Sequence, residues 1–217
     1  MQNNLQRIVI FANGEIPDLD KARLLLRNDD YIICADGGTR HALALALEPQ
    51  LIVGDMDSAT DEHLRQLQAA AVPIERFSHD KDETDLELAI QRAIDLKPEQ
   101  ILILGALGGR LDQTLGNLAL LNDRRLSTFD VKLDDGVEEV FICRNQSEIR
   151  GKPEDLVSLI PRLGAVSGIR TQNLKWPLHN ETLFPDRTRG ISNEMLGDTA
   201  SVSIESGLLL IVHRRRS

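Results

Sequence analysis

The first 125 or so residues alternate between short apolar runs and longer stretches where apolar residues recur every three or four positions. Arg7-Ile8-Val9-Ile10-Phe11-Ala12, Tyr31-Ile32-Ile33-Cys34-Ala35, Leu51-Ile52-Val53 and Ile101-Leu102-Ile103-Leu104 are rich in apolar, often β-branched residues and end at turn-forming or charged positions. They read as buried strands, with Val72 to Phe77 as a further candidate. Between them, residues 18–27 put Leu19, Ala22, Leu25 and Leu26 on one helical face. An alanine- and leucine-rich helix runs from Thr39, its expected N-cap, to about Leu47, and others are expected around 61–70 and 112–122. Thr84 and Glu87 form a capping box ahead of an apolar-periodic run, which predicts a helix over 84–96. Nearly continuous apolar strands alternating with helices predict a parallel sheet covered on both faces.

The pattern changes near residue 126. Short β-type segments follow at 128–133, 137–143, 156–160, 165–170, 181–184, 200–204 and 207–212, and no helical period intervenes. Asp134-Asp135-Gly136 and Glu205-Ser206-Gly207 read as hairpin turns. The fold class expected is α/β: an N-terminal parallel-sheet, Rossmann-like α/β domain over 1–125, followed by a smaller antiparallel β-sandwich domain over 126–217.

Composition narrows the partners. Hydrophobic content of 41% and charged content of 27% are ordinary for a soluble globular chain of 217 residues. A formal net charge of −9 argues against nucleic-acid binding through a general basic surface. No apolar run reaches the ~18 residues of a membrane span, and the first residues begin no signal peptide, so no membrane partner and a cytoplasmic location are expected. Cys34 and Cys143 lie in apolar runs and read as buried thiols.

The chemistry sits where the strands end. After Leu51-Ile52-Val53, Gly54 breaks the strand and Asp55 and Asp57 follow two positions apart, so in extended backbone both carboxylates aim at one point. Like charges that close need a positive charge between them, and a hard divalent cation carrying phosphates is the natural occupant. Three further strand ends carry polar groups: Asp36-Gly37-Gly38, Lys81-Asp82-Glu83-Thr84-Asp85 and Gly108-Gly109-Arg110-x-Asp112. A parallel sheet gathers such ends along one edge, where glycines and helix N-termini suit phosphate. Asp85 is placed to complete a metal site with Asp55 and Asp57, while Lys81 and Arg110 supply cations for phosphate oxygens. Taken singly, each feature has a plainer reading. Asp85 and Glu87 suit any helix start, Gly108-Gly109 any turn, and Arg110 with Asp112 a surface ion pair.

As an ordered set the segments resemble the thiamin pyrophosphokinase family. Ala35-Asp36-Gly37-Gly38, Gly54-Asp55-x-Asp57-Ser58, Lys81-Asp82-x-Thr84-Asp85-x-Glu87 and Gly108-Gly109-Arg110-x-Asp112-Gln113 carry the likeness, continued by Lys175-Trp176-Pro177-Leu178 and Gly190-Ile191-Ser192-Asn193-Glu194. The resemblance implies an ATP-binding catalytic domain followed by a thiamin-binding domain, in a homodimer with its active site at the subunit interface. It implies transfer of pyrophosphate from ATP to the thiamin hydroxyl, giving thiamin diphosphate and AMP. Carried over by position, Asp55, Asp57 and Asp85 would hold Mg²⁺, and Asp36, Lys81, Thr84, Arg110, Asp112 and Gln113 would line the ATP site. Trp176 would stack on thiamin, with Ser192 and Asn193 beside it. Without the resemblance Trp176 reads as a core residue. Two other readings remain open on the residues alone: a metal-dependent nucleotide-sugar transferase or phosphohydrolase, and a non-catalytic nucleotide or thiamin sensor.

Overall fold

The apolar runs of the first half form the strands of one parallel sheet. The computed structural model describes residues 5–55, 71–78 and 82–216, and the chain divides into two compact units, Met1–Gly136 and Val137–Ser217. In the first unit the strands are β1 (Arg7–Phe11), β2 (Tyr31–Ala35), β3 (Leu51–Gly54), β4 (Ile74–Arg76), β5 (Gln100–Leu104) and β6 (Asp130–Asp134). They lie in the order β4-β3-β2-β1-β5-β6, and every neighbouring pair is parallel. The segment read at 128–133 is β6, and it extends this sheet beside β5.

Alternation along the strands explains why both sheet faces are covered. Val9, Phe11, Cys34, Ile52, Leu102 and Leu104 cluster on one face with Ala42 and Leu45. Ile8, Ile10, Ile33, Ile101 and Ile103 take the intervening positions and are just as buried. Each such side chain contributes about 1.5–3 kcal/mol on burial. The helices are α1 (Leu19–Leu24), α2 (Thr39–Ala44), α3 (Asp85–Leu96) and α4 (Leu111–Leu120); the segment at 61–70 lies outside the described residues. Leu86, Ala89, Ile90 and Ala93 form the buried stripe of α3, which packs against β1, β2 and β3. Thr84 caps α3, its hydroxyl accepting from the Glu87 N–H at 3.2 Å. Thr39 departs from expectation. It does not cap α2; its hydroxyl donates to the Asp36 carbonyl at 2.7 Å and fastens the turn that leads in.

The strand order reverses between β1 and β5, and in open parallel sheets the crevice outside such a reversal is where ligands bind. At the far side of the strand, Arg7 anchors the sheet. Its guanidinium meets both oxygens of Asp30 at 2.7 Å, with side chains only 10% and 2% exposed.

The second unit contains β7 (Glu138–Cys143), β8 (Gln146–Arg150), β9 (Leu156–Gln172), β10 (His179–Leu183), β11 (Asn193–Glu194), β12 (Thr199–Ser203) and β13 (Ser206–Arg214). All its pairings are antiparallel, and no helix occurs among its described residues. The segments read separately at 156–160 and 165–170 are one strand, β9, interrupted by Leu163 at φ 58° and Gly164 at φ 150°. Before the interruption β9 pairs with β11 and with most of β13; after it, β9 pairs with β10 and β12 and meets β13 again only at Ser167 opposite Ser206. Phe141, Val157, Leu159, Val166, Ile169, Val202 and Ile211 share one core. His213 is wholly buried between Asp155 (3.0 Å) and Glu139 (3.5 Å). Burial pushes the Asp155 carboxyl up, but the N–H groups of Arg216 and Lys152 and the His213 ring hold it below the usual range. Among the described residues, no helix is long and apolar enough to cross a membrane.

Removing one partner of a buried ion pair strands the other charge, at about 3–5 kcal/mol. Asp30→Ala is therefore expected to lower stability by about 3 kcal/mol, read as a shifted midpoint in urea denaturation with an unchanged slope.

Candidate functional site

At the carboxyl edge of the parallel sheet, loops from β1, β2, β3 and β5 and the start of α3 surround a cleft of about 740 Å³. Its acidic centre follows from the backbone. Asp36 opens a single 3₁₀ turn at the end of β2, with φ 40° and 5% exposure. Gly54 ends the neighbouring β3 at φ 150°, and a Cβ there would lie 2.8 Å from the Asp36 Cβ. Only glycine lets the two strand ends approach so closely. The next residue, Asp55, and Asp85 in the first turn of α3 complete the group: one oxygen from each of Asp36, Asp55 and Asp85 lies within 4.8 Å of the others.

Three converging carboxylate oxygens could hold a hard divalent cation. Expectation assigned Asp36 to the nucleotide; the geometry gathers it with Asp55 and Asp85. Asp57 and Lys81 lie outside the described residues.

Thr84, Arg110 and Gln113 all line the cleft. Asp112 is not among the lining residues. Its carboxylate grips Arg110 instead, at 3.1 Å to Nε and 2.6 Å to Nη2. The hydrogen bond from Arg110, then the N–H of Gln113, hold the Asp112 carboxyl below its usual range, and the guanidinium is raised in turn. Both side chains are about two-thirds or more exposed, so this pair is weak and exchangeable.

Sequence reasoning did not place the loop after β1 in the site. Asn13, Gly14 and Glu15 line the cleft, as do Arg40 and Asn117. Arg40 Nη2 donates to the carbonyls of Asn13 (2.9 Å) and Gly14 (3.0 Å). His41 Nε2 lies 2.7 Å from the Gly14 carbonyl. Burial lowers the His41 pKa, and Nε2 carries a proton because a carbonyl only accepts. Asn13-Gly14 closes an apolar strand with a glycine, the same signal that marked the other strand ends.

In the second unit, Trp176 is 53% exposed and not a core residue. Its backbone N–H donates to Asn193 Oδ1 at 3.0 Å, and its backbone carbonyl accepts from Asn193 Nδ2 at 2.7 Å. The buried Asn193 thus clamps the indole-bearing backbone. Lys175 Nζ sits 4.8 Å from the centre of the Trp176 ring and pairs with Glu194 at 2.8 Å. Ser192 adopts φ 58°, and its N–H donates to Ser158 Oγ at 3.0 Å.

Residues 22–133 match the model of the thiamin pyrophosphokinase catalytic domain, and residues 146–209 match the model of the thiamin pyrophosphokinase vitamin B1 binding domain. The chain belongs to the thiamin pyrophosphokinase family. The thiamine pyrophosphokinase of Bacillus subtilis is 30% identical over 182 residues, covering 83% of this chain and 85% of that protein. Thiamine pyrophosphokinase 1 of Oryza sativa is 27% identical, covering 95% and 87%. The crystal structure of the Bacillus subtilis enzyme superposes with a TM-score of 0.89 at 26% identity, over 98% of this chain and 100% of that one. The catalytic-domain match takes in Asp36, Asp55, Asp85 and Arg110, and the vitamin B1 binding match takes in Trp176, Ser192 and Asn193.

A methyl group at position 54 would push directly on Asp36. Gly54→Ala is expected to weaken Mn²⁺ binding by about tenfold, read by calorimetry, while the circular dichroism spectrum stays that of the wild type.

Proposed function

We propose that the protein is a thiamin pyrophosphokinase that transfers a diphosphoryl group from ATP to the hydroxyl of thiamin, releasing thiamin diphosphate and AMP. Its N-terminal unit serves as a Rossmann-like ATP-binding catalytic domain, and its C-terminal unit as a β-sandwich that binds thiamin. The observation that carries this reading is the convergence of Asp36, Asp55 and Asp85 in one cleft, within the stretch that matches the family's catalytic domain.

Asp55, Asp57 and Asp85 hold Mg²⁺ in this reading, with Asp36 alongside. Bound there, the ion neutralises phosphate charge and fixes the polyphosphate for in-line attack. The chain does the rest. Lys81 and Arg110 hold phosphate oxygens and stabilise charge on the departing AMP, Arg110 exchanging Asp112 for phosphate. Thr84 and Gln113 position the nucleotide from the starts of α3 and α4. Trp176 offers an aromatic face to a cationic heterocycle, an attraction of about 0.5–2 kcal/mol. Ser192 and Asn193 stand beside it at the thiamin site, and Asn193 also holds the Trp176 backbone in place. The enzyme acts as a homodimer, a reading supported by apolar side chains left exposed on the second unit: Leu163, Trp176, Phe184, Ile191 and Leu196.

The test is AMP release from ATP and Mg²⁺ with and without thiamin, with the product identified by mass. Thiamin-dependent AMP and thiamin diphosphate are expected; ADP as the product would mean attack at the γ-phosphorus and sink the assignment. Asp57→Asn is expected to abolish turnover with the fold intact, and activity retained at ordinary Mg²⁺ would remove Asp57 from the metal site. Trp176→Ala is expected to raise KM for thiamin by about tenfold and to leave KM for ATP unchanged.

A further inference from the structure

Charge in the cleft is out of balance. Its described lining carries the carboxylates of Glu15, Asp36, Asp55, Glu83 and Asp85, against two cations, Arg40 and Arg110. A divalent ion offsets part of the acidic centre, but a nucleoside triphosphate brings about four more negative charges. Arg110 is engaged by Asp112. Arg40 is differently placed: its hydrogen bonds run to two main-chain carbonyls, which orient the guanidinium without cancelling its charge.

Those bonds use one nitrogen, Nη2, of a group with five N–H donors. Nor does the Asn13-Gly14 loop depend on Arg40 alone, because the buried ring of the neighbouring His41 holds the same Gly14 carbonyl at 2.7 Å. The loop therefore acts as a bracket for Arg40. A planar, permanently charged fork held at the edge of an acidic cleft is suited to bidentate recognition of phosphate.

We infer that Arg40 is a substrate-contacting residue that binds the polyphosphate of the nucleotide, a role separate from that of Arg110 and Lys81. The inference rests on the ATP-dependent reading given above. Arg40 comes from the start of α2, on the β2 side of the cleft, whereas Arg110 follows β5. Cations from two elements grip the phosphate chain at separate points and restrict its rotation, which positioning for in-line attack requires.

The test compares wild type, Arg40→Gln and Arg40→Lys by calorimetry, with two probes: a methylene-bridged ATP analogue with Mg²⁺, and adenosine. Arg40 is exposed, so the variants are expected to fold, and thermal melting checks this. Arg40→Gln is expected to weaken the analogue by about tenfold or more and to leave adenosine unchanged. Arg40→Lys, which keeps the charge and loses the fork, is expected to fall between. In turnover the Gln variant raises KM for ATP and not for thiamin. Unchanged analogue binding would overturn the role, and so would equal weakening of analogue and adenosine, which would make Arg40 a brace for the loop. A wild-type protein that binds no analogue at all contradicts the pyrophosphokinase reading itself, and Arg40's role falls with it.

Discussion

Like charges a few ångströms apart at a protein surface repel by about 4 kcal/mol per pair, and Asp36, Asp55 and Asp85 bring three such oxygens within 4.8 Å of one another. A cation placed among them would relieve that repulsion, and much of the first unit reads as the means of building the arrangement. Strand order places β2 and β3 side by side. Gly54 and the positive φ of Asp36 let their ends come together, and the cap at Thr84 sets the first turn of α3 beside them. The reversal between β1 and β5 opens the crevice that admits a ligand. Each device is local and small, and the acidic centre is where they meet.

The second unit solves a different problem, holding an aromatic face in water. Trp176 is half-exposed, and the backbone that carries it is pinned by a two-way clamp from the buried Asn193. Lys175, itself tied to Glu194, lies over the same ring. The backbone on either side of the indole is thereby fixed, and one face of the ring meets a cation. Pro177 beside it is consistent with a position off the interior of a sheet.

Much of the first unit was legible because its strands are buried on both faces, so that composition alone marks β1, β2, β3 and β5. The capping box was legible for the same local reason: Thr84 and Glu87 act over three residues. Long-range facts were not. Whether 128–133 joins the first sheet or opens the second half depends on pairing with β5, some 30 residues earlier. The polar strand β8, Gln146–Arg150, is recognisable only through its partner β12. A left-handed residue at Leu163 followed by glycine looks like a strand end, yet β9 runs through it. In the site, Asp36 and Asp55 were both visible as chemistry, but their proximity across two strands was not. Arg40 gave no signal at all, since an arginine near a helix start is ordinary until the Asn13-Gly14 carbonyls orient it.

The measurement that bears most directly on the central claim follows the phosphorus atoms. ATP labelled separately at its α-, β- and γ-phosphorus is incubated with Mg²⁺, thiamin and the protein, and the label is traced in the products. A pyrophosphokinase moves β- and γ-label together into thiamin diphosphate and leaves α-label in AMP. Transfer of γ-label alone, or release of labelled phosphate with no label on thiamin, would contradict this reading.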